Sequence, residues 1–194
     1  MNKIDLYSQK KVVFNYDKQR FGGQSGEFVN NKELKFIIAN ISKNAKRILD
    51  APCGTGRLIK KLDFIQTIVG LDASKQMIKN VKRKFPHRKI IKGNLFKLPC
   101  KKNYFDCVIH LRIFHHYPLK KIEKMLNQSA RVLKKNGNLL FDTYTKSPKA
   151  LLSWLMPKSH HRIYLHKDKE IKKMLLQKGF KNIKLEKSFL FSPL

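Results

Sequence analysis

The sequence predicts a single α/β domain built on a doubly wound, mainly parallel sheet with helices on both faces. Along its 194 residues, segments of strand length alternate with segments of helical periodicity, which is typical of parallel strands joined by right-handed crossovers. Two apolar segments end in a carboxylate, at Asp50 and at Asp72, and the first runs directly into a glycine turn. Because such sheets bind ligands beyond the carboxyl ends of their strands, these residues also predict where the site lies.

The N-terminal part divides at about residue 30. Residues 1–29 are polar, glycine-containing and mostly aperiodic, and we interpret them as an N-terminal arm or lid that can fold over the site. Residues 30–194 form the main domain. It opens with a helix that Asn30 or Asn31 can cap, and its apolar residues recur at helical spacing: Leu34, Ile37, Ile38 and Ile41.

The main domain then alternates strand and helix. The first four strands are predicted at Arg47–Asp50, Thr67–Asp72, Lys89–Lys92 and Tyr104–His110. One helix runs from Gly56 to about Leu62, and another begins at Ser74 and ends before Pro86. Pro118 is well placed to open a long amphipathic helix. The remaining elements are a turn at Asn136-Gly137, a strand at Asn138–Thr143, a helix at about Lys169–Lys178 and a last strand within Phe180–Phe191.

The glycine turn after the first strand carries the most chemical information. Gly54 and Gly56 flank Thr55, so the backbone can bend sharply and approach a ligand without Cβ atoms in the way. Asp72, at the end of the second strand, is placed to hold the two hydroxyls of a ribose. Together these residues predict a ligand that contains a nucleoside.

The charge before the turn indicates which nucleoside. A dinucleotide fingerprint has a third glycine where this chain has Ile59. Asp50, just before the turn, would repel a pyrophosphate, and the repulsion grows in a cleft of low dielectric constant. The same carboxylate would attract the ammonium and sulfonium groups of S-adenosylmethionine. The residues therefore favour S-adenosylmethionine over a nicotinamide dinucleotide.

The Asp-x-x-Cys-Gly-Thr-Gly motif at 50–56 resembles that of the class I S-adenosylmethionine-dependent methyltransferases. Within them, the chain looks most like the ubiquinone/menaquinone-type group (the type 11 methyltransferase domain), from roughly Tyr16 to Phe180. The resemblance implies a Rossmann-like fold and S-adenosylmethionine as cofactor. The residues expected to bind it are Asp50, Pro52, Gly54, Thr55, Gly56, Asp72, Ala73, Met77, Asn94, Leu95 and His110.

The resemblance also implies individual roles. Ala73 and Met77 would lie beside the adenine, although Met77 could equally be a plain core residue. Asn94 stands where the family commonly has Asp, and its amide oxygen can still accept a hydrogen bond from the adenine amino group. As an alternative, Asn94 is only a turn residue. The N–H of Leu95 would meet a ring nitrogen, and the backbone around His110 would contact the amino group of the cofactor.

Histidines follow the fourth strand and give the candidate catalytic residues. His115 or His116 could remove a proton from the methyl acceptor, because imidazole titrates near neutral pH. Alternatively, one of them packs or caps the following helix while the other lines the pocket. Methyl transfer does not require a protein base, since alignment of nucleophile, carbon and sulfur supplies most of the catalysis. A metal site is not expected, because no nearby cysteine or carboxylate completes a ligand set.

The formal net charge of +30 is extreme. It indicates either a polyanionic partner, such as nucleic acid, or simply a solvated lysine-rich surface. The basic cluster at Lys82–Lys89 is predicted on the face opposite the cofactor, which weakens the argument for an RNA substrate. The alternatives to a small-molecule methyltransferase are an RNA methyltransferase and a basic nucleic-acid-binding protein with a vestigial cofactor site.

The methyl acceptor is predicted to be a small or lipid-like molecule. The segment Leu151–Met156 is apolar and leaves the fifth strand on the site side, where it forms either a lid over the acceptor or a helix packed on the sheet edge. Three cysteines, an odd number, suit reduced thiols. The absence of a bilayer-length apolar run and of an N-terminal signal core predicts a cytoplasmic protein, as a monomer or weak dimer.

Overall fold

The computed structural model describes residues 10–144 and 163–186. Its five strands are β1 (Arg47–Asp50), β2 (Thr67–Asp72), β3 (Lys89–Lys92), β4 (Phe105–His110) and β5 (Leu133–Phe141). They form one sheet of order β3-β2-β1-β4-β5, and every pairing is parallel. The predicted doubly wound fold is confirmed. The winding reverses between β1 and β4, so a crevice opens at the carboxyl ends of these two strands.

Helices cover both faces of the sheet. They are α1 (Lys10–Phe21), α2 (Gly23–Asn40), α3 (Arg57–Lys61), α4 (Lys75–Lys84), α5 (Leu119–Val132) and α6 (Asp168–Gln177). Alternate residues of a strand point to opposite faces, and in β1 both faces are buried. Ile48 packs with the helices that follow the glycine turn, and Leu49 packs with residues from the far side, including Val132 of α5. Each such side chain stabilises the fold by roughly 1.5–3 kcal/mol.

The prediction for the N-terminal segment was wrong in its secondary structure. Residues 10–21 are helical, and α2 begins at Gly23 rather than at Asn30 or Asn31. The glycines make a tight corner between two helices: a Cβ atom at Gly26 would lie 2.7 Å from the carbonyl carbon of Phe21. Before residue 30 few apolar residues of this hairpin are buried, which explains why that part of the sequence lacks a clear helical period.

Two predicted strand boundaries also need correction. β5 begins at Leu133, and Asn136-Gly137 lies inside it as an irregularity, with Asn136 in the left-handed region at φ 64°. The register between β4 and β5 shifts at this place, so β5 contains a local irregularity but continues as the same strand. Residues 180–186 contain no strand, and the rest of the predicted last strand lies outside the described residues, as does Leu151–Met156.

Two further sequence expectations concern the cysteines and the membrane. Cys53, Cys100 and Cys107 are free thiols, as their odd number led us to expect. No helix within 10–144 or 163–186 is long and apolar enough to cross a bilayer.

Candidate functional site

The carboxyl ends of the central strands carry the predicted site residues. β1 ends at Asp50, β2 at Asp72 and β4 at His110, and the three residues are 2%, 8% and 1% exposed. Parallel pairing brings these strand ends to the same edge of the sheet. The site therefore combines two buried carboxylates with the glycine turn that follows β1.

Asp72 connects the glycine turn to the end of β2. Its carboxylate accepts hydrogen bonds from the backbone N–H of Gly54 at 3.0 Å and of Ser74 at 2.8 Å. Burial raises the pKa of Asp72, although these backbone N–H groups oppose the shift. A carboxylate offers about four lone-pair sites, so these backbone bonds do not exhaust its capacity to accept from a ribose hydroxyl.

Asp50 is less well satisfied. Its Oδ2 atom is buried and has no hydrogen-bond partner among the described residues. Burial raises the pKa of Asp50 to about 8, the Arg57 guanidinium lowers it, and the Asp72 carboxylate raises it further. A buried carboxylate with an unpaired oxygen is costly, and a cationic group beside it would relieve that cost. The ammonium and sulfonium of S-adenosylmethionine fit this environment.

The two glycines of the turn serve different purposes. Both have positive φ, 51° at Gly54 and 83° at Gly56, which favours glycine. A Cβ atom at Gly54 would meet no atom within 4 Å, whereas at Gly56 it would lie 2.8 Å from the Phe85 ring. Gly54 therefore borders open space that a ligand can enter, and Gly56 allows close packing against α4. Thr55 donates a hydrogen bond to Asp17 of α1 at 2.6 Å.

The residues predicted around the adenine lie after β2 and β3. Ala73 is half-buried and precedes Ser74, whose hydroxyl caps α4 by accepting the Met77 N–H at 3.2 Å. Met77 is buried. Asn94 is exposed and its Oδ1 accepts the N–H of Phe96 at 2.9 Å, which is the turn role that we considered as the alternative. Pro52 and Leu95 are half-buried.

His110 has a structural side chain. One ring nitrogen bonds to the carbonyl oxygen of Ala51, and the other lies 2.7 Å from the Ser129 hydroxyl. Burial lowers the pKa of His110 to about 4, so the ring is neutral at physiological pH. Its backbone carbonyl accepts the N–H of Asp142 at 3.2 Å and keeps a second lone pair. The prediction that His110 offers its backbone to the cofactor is compatible with this arrangement.

The predicted catalytic histidines lie in a short 3₁₀ turn after β4, Phe114–His116. His115 is 4% exposed, and its ring stacks on Tyr144 with centroids 4.2 Å apart and planes 9° apart. His116 is half-buried, with its ring centroid 4.0 Å from that of His115. The two rings thus belong to an aromatic group at the carboxyl ends of β4 and β5. In the described parts of the chain, no three side chains form a possible metal site.

Sequence reasoning missed an ionic cluster beside this aromatic group. Glu33 of α2 contacts both Arg57, the first residue of α3, and Arg112, which follows β4. Asp142, just after β5, accepts the backbone N–H of Arg112, and burial raises the pKa of Asp142 to about 6. Glu33 and Arg112 are 79 residues apart, and local sequence patterns carry no signal for such a contact.

A cavity of about 520 Å³ lies next to the glycine turn, between the N-terminal hairpin (α1 and α2) and the helices α3 and α4. Thr55 and Gly56 line it, but Asp50 and Asp72 do not. Lys84 also lines it and reaches the Thr55 carbonyl at 3.4 Å. Within the Lys82–Lys89 cluster, which was predicted on the face opposite the cofactor, the Lys84 side chain therefore reaches the glycine turn. Arg88, in the same cluster, does not contact the glycine turn. It donates hydrogen bonds to the Asp63 carboxylate and the Ile65 carbonyl oxygen.

Comparison with known proteins gives consistent results. Residues 49–141 match the family described as methyltransferase domain. An uncharacterized protein of Methanocaldococcus jannaschii is 28% identical over 190 residues, covering 95% of this chain and 83% of that protein. The ubiquinone/menaquinone biosynthesis C-methyltransferase of Campylobacter jejuni is 31% identical over 159 residues, covering 75% of this chain. The chain spans 65% of that relative's length.

The fold has solved counterparts. The magnesium protoporphyrin IX methyltransferase of Synechocystis, determined with bound S-adenosylhomocysteine, superposes with a TM-score of 0.71 at 21% identity, covering 92% of this chain and 88% of that one. The fold, the glycine turn and the sequence relatives agree with one another. They assign a methyltransferase domain to residues 49–141, on the fold of the class I S-adenosylmethionine-dependent methyltransferases.

Proposed function

We propose that this methyltransferase transfers a methyl group from S-adenosylmethionine to a small-molecule or lipid-like acceptor by in-line displacement. The observation that carries the proposal is the stacked pair of His115 and Tyr144 at the carboxyl edge of β4 and β5. Flat, largely apolar ring surfaces suit an organic acceptor, whereas an extended polyanion would need a row of cations there. Two relatives bear names of small-molecule methyltransferases, which supports the same class.

In this proposal the residues at the strand ends hold the cofactor. Asp50 faces its cationic groups, Asp72 accepts from the ribose hydroxyls, and the backbone of Gly54 to Gly56 lies against its methionine part. When bound, S-adenosylmethionine supplies a methyl group on a sulfonium, and a lone pair of the acceptor takes it up as the carbon–sulfur bond breaks. The buried strand ends exclude water and fix the alignment, which is the main catalytic contribution of the chain.

The proton that the acceptor loses needs a destination. We assign this role to His115 or His116, because neutral imidazole can accept a proton near neutral pH. Tyr144 holds the His115 ring in a defined orientation through stacking, and the backbone carbonyl of His115 accepts the N–H of Tyr164 at 2.8 Å. His116 is the more accessible of the two rings, so it is the first to test.

The acceptor class is tested by incubating the protein with cofactor labelled in its methyl group and with cell extract. The products are then separated into RNA, protein, lipid and small-molecule fractions. Label in the organic-soluble or small-molecule fraction, reduced by His116→Ala but not by Lys82→Gln, supports the proposal. Label found only in RNA and lost after nuclease treatment would overturn it.

A further inference from the structure

One carboxylate of the N-terminal hairpin pairs with two guanidinium groups of the body of the protein. Glu33 Oε1 accepts a hydrogen bond from Arg112 at 3.0 Å, and its Oε2 lies 2.9 Å from Arg57. The three side chains are only 10%, 12% and 16% exposed. Arg57 and Glu33 Oε2 form an ion pair, but no N–H of Arg57 is aligned for a hydrogen bond to this oxygen. Arg57 instead donates a hydrogen bond to the side-chain oxygen of Asn30 at 2.7 Å.

Phe21 completes this cluster from the other helix of the hairpin. Its ring lies 4.3 Å from the guanidinium carbon of Arg57 and 5.5 Å from that of Arg112. Both distances are within the range of cation–π attraction. The hairpin thus presents one carboxylate and one aromatic ring to the same pair of cations.

The two arginines belong to the two loops that build the site. Arg57 follows Gly56 directly, and its charge lowers the pKa of the buried Asp50 carboxylate. Arg112 lies between β4 and the His115–His116 turn, in the left-handed region at φ 57°. A non-glycine residue rarely adopts this conformation without support, and here the Asp142 carboxylate accepts its N–H.

The end of α2 packs in the main core through Leu34 and Ile37, whereas α1 and the first part of α2 pack on the body less completely. The cavity of about 520 Å³ separates them from α3 and α4, and Phe14 and Phe28 are 82% and 65% exposed. On the same side, Asp17 accepts from Thr55 and pairs only loosely with Lys84, at 3.4 Å. Segments with few apolar contacts open at low free energy, so polar contacts decide whether α1 and the first part of α2 are docked.

We propose that Glu33 is a positioning residue that couples docking of the N-terminal hairpin to cofactor binding, by tying the glycine-turn helix to the loop after β4. Docking through Glu33 fixes the two site loops relative to each other. Cofactor bound between these loops in turn favours the docked hairpin, since linkage acts equally in both directions. This proposal rests on the proposed function, because it places the cofactor between the two loops.

The test is amide hydrogen exchange with and without S-adenosylhomocysteine, together with calorimetric titration of the same ligand. Glu33→Gln removes the charge and keeps the shape. Glu27→Gln is the matched control, because Glu27 lies on the same helix, is exposed and carries the same charge. Arg112→Lys keeps the cation but loses the fork, and Glu33→Asp restores the carboxylate at shorter reach.

In the wild type and in Glu27→Gln, the ligand should slow exchange of the amides of α1 and of the first part of α2, before Leu34. In Glu33→Gln, these amides should exchange about tenfold faster without ligand, the ligand should no longer protect them, and its affinity should fall about tenfold. The amides of β1 and β4 should not change. Arg112→Lys should show the same pattern in weaker form, and Glu33→Asp should recover part of the ligand effect.

Two results would overturn the proposal. One is hairpin exchange in Glu33→Gln equal to that in Glu27→Gln. The other is an equal increase over the whole sheet, which would make Glu33 a general stability residue. Failure of the proposed function gives a different result, because the wild type would then not bind S-adenosylhomocysteine at all. Without ligand binding there is no coupling, even if the hairpin of Glu33→Gln exchanges faster.

Discussion

The buried carboxylate of Asp50 predicts that cofactor binding depends on pH. Burial raises its pKa to about 8, so at pH 6 to 7 the ligand-free protein holds a proton on this group. A bound ammonium beside Asp50 favours the ionised form, and binding must therefore release that proton. In the ligand-free protein, this raised pKa makes the free energy of unfolding fall as the pH rises, which is the opposite of the effect of an ordinary ion-paired Asp. The unfolded carboxyl ionises near pH 4 whereas the folded one stays protonated up to about pH 8, so stability is lost progressively between these two values.

The size of the effect follows from the pKa. Ionising a group of pKa 8 costs about 2.7 kcal/mol at pH 6 and about 0.8 kcal/mol at pH 7.5. Allowing for partial deprotonation of the ligand's own amino group, S-adenosylhomocysteine should bind roughly 15-fold more tightly at pH 7.5 than at pH 6. Calorimetry in two buffers of different ionisation enthalpy should report release of about one proton at pH 6 to 7.

Asp50→Asn removes the titrating group, and its affinity should change by less than about twofold over the same pH range. Asp142→Asn is the control, because Asp142 is another buried carboxyl with a pKa raised to about 6, and it should keep most of the pH dependence. A wild type with flat affinity from pH 6 to 7.5, or a dependence that persists in Asp50→Asn, would refute the assignment of Asp50 to the cationic end of the cofactor.

Three further predictions concern stability, each measured by urea unfolding. Gly56→Ala should lower the free energy of unfolding by about 2 kcal/mol or more, because strain at φ 83° adds to a clash with Phe85. Gly179 has the same φ without a clash, so Gly179→Ala should cost only about 1 kcal/mol. Equal losses in the two variants would contradict the packing argument. Ser74→Ala removes the cap of α4 and should cost about 1 kcal/mol, whereas no loss would mean that the cap contributes nothing. The His110 pKa of about 4 lies below its unfolded value, so the unfolded state binds more protons between pH 6.5 and 4. The free energy of unfolding should therefore fall by up to about 3 kcal/mol as the pH is lowered through this range. A His110→Gln variant with the same pH slope would exclude this cause.

The sheet was predictable because its strands are short, apolar and bounded by polar residues. The predicted bounds of β1, β2 and β3 are those of the structure, and the caps at Ser74 and Pro118 are where the residue types indicated. The hairpin was predictable in this way only after residue 30, where Leu34 and Ile37 recur at helical spacing. Before it, too few apolar residues are buried to produce a helical period, and the glycines that shape the corner are equally typical of an irregular arm.

The site was predictable only where it follows strand ends. Asp50, Asp72 and the glycine turn could be placed from the strand order of the fold class. The pairing of Glu33 with Arg57 and Arg112 joins distant segments, and a Glu in a helical pattern is ordinarily a solvated surface residue. The course of the Lys84 side chain toward Thr55 was missed for a similar reason, because a residue's place along a helix does not fix where a long side chain reaches.

The most direct test of the central claim is a crystal structure of the protein with S-adenosylhomocysteine. We predict that the ribose hydroxyls lie within hydrogen-bond distance of the Asp72 carboxylate, with the amino group of the ligand on the Asp50 side of the glycine turn. A ligand bound elsewhere, for example in the basic cavity lined by Lys60, Lys61 and Lys84 with Asp50 and Asp72 uncontacted, would contradict the account.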